Sequence, residues 1–235
     1  HPLLRVPAAA GGAVLGAVFG TVARVRRSKP LHPKGALLRG AIRRSGSTAA
    51  TGVPWIDEAG TDECVVRISR ATGLPAPAPD FLGLAVRLEV DGEVVDLLFA
   101  STGSAGVGRF VLVPRRSLDD GPLTTLLPLK APSGPLLLRA RILAPGRDLP
   151  DDPAELATAM AVEPLMVELS HSGARGAWTP FGVLEVRGLV DDDVDPALRF
   201  EPVDHPLPGT EQYGWVARLR EPAYASARRG WPPGA

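Results

Sequence analysis

Leu82, Leu84, Val86, Leu88 and Val90 alternate with Gly83, Ala85, Arg87 and Glu89, and the run stops at Asp91-Gly92 before a second apolar run, Glu93–Ala100. A period of two puts one face of a strand in a core and leaves the other mixed, a pattern that a helix cannot use. Asp-Gly supplies the positive φ values of a tight type I′ turn, so the two runs are expected to pair as a hairpin. This hairpin commits the middle of the chain to antiparallel β structure.

The same signature recurs from residue 36 onward. Short apolar or alternating segments are broken by Gly, Pro and Asp, and Gly and Pro are abundant at 26 and 25 residues. The segments are Ala36–Arg43, Cys64–Arg70, Leu82–Val90, Glu93–Ala100, Arg109–Pro114, Leu136–Leu143, Leu165–His171 and Phe181–Val190. Eight strands can close on themselves, which removes exposed edges and leaves an interior that holds side chains or one ligand. The expected fold is α+β, mainly β: an eight-stranded antiparallel closed barrel with an N-terminal apolar helix and a C-terminal helix. Residues 151–161 read as a short helix and Thr210–Arg229 as a longer one, kinked at Pro222 because proline offers no N–H.

Charge divides the chain. Residues 1–50 carry nine Lys or Arg and no Asp or Glu, leaving 17 basic against 26 acidic residues in the remainder. We divide the chain accordingly into residues 1–30, an apolar helix with a basic arm, and residues 31–235, a barrel domain with its C-terminal helix. Within residues 8–23, uncharged and bounded by Arg5 and Arg24, Gly12, Gly16 and Gly20 share one face. Small residues four apart allow close helix approach, but the run is short for a membrane span, so a packed or interfacial helix is expected. Contact with a membrane through residues 8–23, a homo-oligomer and a partner subunit are the associations this pattern suggests. Cys64 is the sole cysteine, so no intramolecular disulfide forms and the cytoplasm is the expected compartment, with membrane association as the alternative.

Several chemistries are excluded by residue type. The four histidines, His1, His32, His171 and His205, are scattered and give no zinc spacing. Asp191-x-Asp193-x-Asp195 begins like a calcium loop, but Pro196 replaces the turn glycine and Pro202 the bidentate glutamate, so a solvated acidic turn is expected. Gly103–Gly108 lacks a lysine and opens no helix, which makes it a loop rather than a phosphate cradle. No Gly-x-Ser-x-Gly elbow is present, and adjacent Ser170 and His171 point to opposite faces of a strand. The basic first quarter has few interleaved aromatics, which argues against nucleic acid as a partner.

Three places carry other chemistry. His32 lies in Leu31-His32-Pro33-Lys34-Gly35. Arg67 and Ser69 share a strand face, where a cation and a hydroxyl could bind a carboxylate or orient a histidine. Near the C-terminus Arg220, Tyr224 and Arg228 are spaced four apart, along one side of a helix. A guanidinium close to a phenol favours the phenolate, a hard anionic ligand for ferric iron.

Taken in order, these residues resemble the catalase superfamily. His32-Pro33-Lys34-Gly35 is similar to that family's distal His-x-Lys-Gly, Val66-Arg67-Ile68-Ser69 to its Val-Arg-Phe-Ser, and Gly83-Leu84-Ala85-Val86 with Asp96-Leu97 to its Gly-Phe-Ala-Val and Asp-Leu. Phe200-x-Pro202, Pro208-Gly209, Glu211 and Arg220-x-x-x-Tyr224 resemble the approach to its proximal tyrosine. The resemblance implies a barrel of the catalase type carrying haem b, with Tyr224 as the iron ligand, as catalases use tyrosine. It also implies that Arg220 keeps Tyr224 ionised, that Arg67 and Arg228 hold haem propionates, that His32 is the distal acid–base group and that Ser69 orients it. Ser101 falls at or near the family's distal asparagine, where a hydroxyl offers a peroxide a shorter reach and different donor geometry. Pro222 between Arg220 and Tyr224 is a second departure, and the chain is shorter than typical catalases. The expected activity is that of a small peroxidase-like enzyme cleaving hydrogen peroxide or organic hydroperoxides. The alternatives are a lipid-hydroperoxide-rearranging haem enzyme and a catalase-fold module whose haem is lost or non-catalytic, serving as a membrane-associated or oligomeric subunit.

Overall fold

Pairing of the strands runs in a ring. The computed structural model describes residues 35–71, 78–146, 149–150, 152–190 and 198–216. Its strands are β1 (Gly35–Ser45), β2 (Ala59–Arg70), β3 (Leu82–Val90), β4 (Glu93–Ser101), β5 (Leu123–Thr124), β6 (Leu129–Ala131), β7 (Gly134–Ile142), β8 (Leu165–Ser172), β9 (Thr179–Leu189) and β10 (Glu211–Gln212). Eight of them close an antiparallel barrel in the order β7-β5-β4-β3-β2-β1-β9-β8, with β8 returning to β7. The short strands β6 and β10 extend from the free portion of β7.

Alternation sorts the side chains. Leu38, Val66, Leu84, Leu97, Leu138 and Leu184 are each 4% exposed or less and belong to one core cluster inside the ring. Burial of each such side chain contributes about 1.5–3 kcal/mol. The interior is filled: a Cβ added at Gly40 would stand 2.8 Å from Val66 Cγ2 and 2.9 Å from Cys64 Sγ. Among the described residues, side chains therefore fill the inside of the ring. The β3–β4 hairpin forms as expected, with Asp91 at φ 54° and Gly92 at φ 83°.

Among the described residues, two complete α-helices flank the ring. In α1 (Pro54–Asp57), Trp55 and Ile56 are buried, and the Arg44 guanidinium lies over the Trp55 ring at 5.5 Å. The second, α2 (Pro153–Val162), starts at Asp152, whose carboxylate accepts the Ala154 and Glu155 N–H groups, and it buries Leu156, Ala157 and Met160. Glycine lets β9 come close to it, since a Cβ at Gly188 would meet the Ala161 Cβ at 3.0 Å.

Arg109–Pro114 is not the strand expected from its apolar run. Gly106–Phe110 coils into a short 3-10 helix, for which Gly106 adopts φ 52°. Buried Arg109 then draws the segment outward by donating to Ser172 Oγ and to the carbonyls of Gly173 and Gly176. The vacant place in the ring is taken by Leu123–Thr124. Residues 151–161 form the expected helix, whereas Glu211–Gln212 are strand at the start of the expected terminal helix, because they pair with Lys130 and Leu129. The remainder of that helix from residue 217, the apolar run 8–23, the whole of residues 1–30 and the acidic turn 191–195 lie outside the described residues.

Candidate functional site

The strand register fixes which outward side chains are neighbours. Across β1, β2, β3 and β4, Leu37, Arg67, Ala85 and Leu98 form one row, and Gly35, Ser69, Gly83 and Ala100 the next. Arg67 and Ser69 thus share the outer wall, as their spacing of two predicts. Apart from these two the rows hold only apolar side chains or glycine. Burial lowers the Arg67 pKa, since a guanidinium in a partly desolvated setting loses hydration of its charge. Gly83 leaves room for the neighbouring hydroxyl: a Cβ there would be 2.9 Å from Ser69 Oγ.

Ser101 is separated from this pair. It pairs with Leu123 rather than standing in the Ser69 row, and it is 1% exposed on the opposite face of β4, where its Oγ accepts the Leu82 N–H at 3.1 Å. Ala100 stands in the Ser69 row, and Thr102, two positions on, faces the same way but donates its hydroxyl to Thr124 Oγ1 at 3.1 Å. His32, Arg220, Tyr224 and Arg228 lie outside the described residues.

A third row on the same face holds Arg87 and Asp96. The Asp96 side chain is 0% exposed and receives Arg87 Nε at 2.7 Å and Nη2 at 2.6 Å, the Glu201 N–H at 2.7 Å and His205 Nδ1 at 2.8 Å. Burial pulls its carboxyl upward, but these donors, Arg87 foremost, hold it below the ordinary carboxylate range. Motif spacing passes over this cluster. The signal available is a lone carboxylate inside Val94-Val95-Asp96-Leu97-Leu98, which must find donors if that strand is buried.

A second polar cluster lies further round the wall. Arg109 and Arg139 stand over the Trp178 ring at 4.7 and 4.9 Å, and Arg139 and Arg141 both bind Glu168. Elsewhere His171 Nε2 and Ser47 Oγ are 2.6 Å apart, but the Ser47 hydroxyl also engages Ala49, and the Asp57 carboxylate is held by Thr51 and Gly52. No nucleophile–base–carboxylate relay is assembled there. Among the described residues no three His, Cys, Asp or Glu side chains gather to hold a metal ion, and no helix is long and apolar enough to cross a membrane.

In architecture the chain is similar to catalase A from Saccharomyces cerevisiae, with a TM-score of 0.58 and 12% sequence identity over 89% of this chain and 63% of that chain. A fungal catalase gives a TM-score of 0.59 at 12% identity, over 89% of this chain and 61% of that one. The barrel fold is therefore catalase-like, in a chain that spans less than two thirds of either structure. No family model matches the sequence, and no curated protein matches it.

Proposed function

We propose that the outer wall bearing Arg67 and Ser69 is one side of a haem b pocket, and that the protein cleaves hydrogen peroxide or an organic hydroperoxide there. The observation that supports this most directly is the register that sets Arg67 and Ser69 among Leu37, Gly83, Ala85, Leu98 and Ala100. An apolar stretch of wall with one partly desolvated cation and one hydroxyl fits an apolar ring that carries carboxylates. The packed interior leaves the outside as the place for it.

In this reading Arg67 and Arg228 pair with the two propionates, Tyr224 supplies the phenolate ligand, and Arg220 keeps that phenol deprotonated. Bound haem supplies the redox chemistry of O–O cleavage. His32, oriented by the Ser69 hydroxyl, would accept a proton from one peroxide oxygen and return it to the departing oxygen, which would leave as water or an alcohol.

Expression with haem supply followed by absorption spectroscopy tests this. A Soret band that is lost or displaced in Tyr224→Phe is expected, and no band, or one indifferent to that substitution, overturns the proposal.

A second reading, a haem-holding module without efficient turnover, is favoured by one feature. Ala100 rather than a hydrogen-bonding side chain faces the Ser69 row, and the Ser101 hydroxyl is bound to the Leu82 N–H. A Soret band accompanied by no peroxide consumption above free haem selects it. In that reading the basic first quarter serves a partner subunit, a second copy or a membrane surface.

A further inference from the structure

Ser47 stands just after β1, where its Oγ lies 2.6 Å from Nε2 of His171 on β8, 124 residues away in sequence. The imidazole is 6% exposed and packs against the Phe181 ring with centroids 6.3 Å apart, so the core sets its orientation. Ser47 is half-buried, and Thr48 and Ala49 beside it are exposed, which leaves the hydroxyl an approach from solvent. Proton accounting then narrows what the hydroxyl does. The Ala49 N–H donates to Oγ at 3.0 Å and occupies one lone pair. The hydroxyl proton has two acceptors in reach, the Ala49 carbonyl at 2.9 Å and Nε2 at 2.6 Å. The nearer is the imidazole, at the short end of the range for a hydroxyl donor. Burial keeps that ring neutral by lowering its pKa, so with the proton on Nδ1 a lone pair is present at Nε2.

We propose that Ser47 is a nucleophile with His171 as its general base, and that it takes an acyl group from an activated carboxylic ester. Oγ attacks the ester carbonyl carbon while its proton passes to Nε2. The bond from that carbon to the leaving oxygen breaks, and the leaving oxygen takes the proton from Nε2, which restores the neutral ring. The Asp57 carboxylate stands close enough to act on His171 by its charge, but Thr51 and Gly52 hold its oxygens, so the ring lacks the carboxylate of a three-part relay. That charge also repels phosphate and other anionic donors, and a neutral ester is the class that fits. An aryl ester has a better leaving group than the acyl-serine it forms, so the acyl group accumulates on Ser47. The site shares no residue with the Arg67–Ser69 wall and does not depend on the haem reading.

The test uses the full chain as wild type, Ser47→Ala and His171→Gln, each treated with p-nitrophenyl acetate and mapped by peptide mass spectrometry. Acetyl-Ser47 is expected in wild type, with a fast phase of about one equivalent of p-nitrophenol that Ser47→Ala abolishes. Glutamine keeps a hydrogen-bonding partner for the hydroxyl but is no base, so His171→Gln should slow acetylation of Ser47 about a hundredfold. Ser45 and Thr48 serve as internal controls, since the Ser45 hydroxyl is directed to the Gly46 and Phe181 carbonyls. Equal labelling of Ser45, Ser47 and Thr48, no label on Ser47, or the wild-type rate in His171→Gln overturns the proposal. Nitrogen NMR of the wild-type ring decides the matter if His171→Gln fails to fold. Nδ1–H is expected, and an Nε2–H tautomer overturns the proposal, because the hydroxyl proton then points to Ala49.

Discussion

The hydroxyl of Ser69 lies over Gly83, so near that a Cβ at residue 83 would come within 2.9 Å of Oγ. The contact is with the end of a small side chain, which can turn away. Gly83→Ala is therefore expected to cost only about 1 kcal/mol, the lower end for overpacking. Most of that cost should vanish in a Ser69→Ala background. Urea unfolding of the two single variants and the double variant gives the coupling directly, and a coupling below about 0.5 kcal/mol would show that the hydroxyl does not occupy the space above Gly83.

Asp96 should make the native state acid-sensitive. Its folded pKa is depressed, so its contribution is fully present above the unfolded value of about 3.9 and is lost as pH falls through the folded pKa. Asp96→Asn is expected to cost about 3 kcal/mol at pH 7, the low end for breaking a buried pair, because the Arg87 side chain keeps 21% exposure. The difference from wild type should shrink at the acid end of a urea-unfolding series.

His171 also makes the fold acid-sensitive, through its neutral form rather than a charged one. Burial lowers its pKa, against a smaller upward pull from Asp57. The fold holds the neutral ring, so stability is unaffected above the unfolded value of about 6.5 and declines as pH drops below it towards the folded pKa. Replacing His171 with Gln should flatten the stability profile between about pH 7 and pH 5. An identical slope in wild type and variant would show that another group takes up the proton.

Cys64 should be inert in the native protein. Burial, helped by the nearby charges of Glu63 and Asp62, pushes its thiol up to about 12. Relative to an unfolded thiol near 8.5 the thiolate fraction at neutral pH falls on the order of a thousandfold. Native protein is expected to react with a disulfide reagent only as fast as the barrel opens, and unfolded protein within seconds to minutes. Rapid labelling without denaturant would contradict the packing around Gly40, Cys64 and Val66.

The barrel was legible where alternation is long. Leu82–Val90 matches its strand end to end, and Arg67 and Ser69 fall on one face because a period of two admits no other arrangement. β5 was not legible, since Leu123–Thr124 is too short to show a period and gains its place from neighbours. Phe110–Val113 has strand-like composition, but bonds from Arg109 to residues 63 to 67 positions away redirect it. The Asp96 cluster joins residues 105 and 109 apart in sequence, so a local pattern could show its need for donors without saying where they come from. Ser101 illustrates the same limit: one position along a strand decides which side of the wall a hydroxyl reaches.

The brevity of β5 gives the ring a seam. Two residue pairs on each side close it, whereas β1 and β2 are joined along eleven. The Thr124 hydroxyl compensates by donating to the Arg109 carbonyl while accepting Thr102 Oγ1 and the Leu126 N–H. A closed barrel so built is expected to open first at this seam, so amides of β5 and its partners Ala100, Ser101, Arg139 and Ala140 should exchange before those of the long β1–β2 pairing.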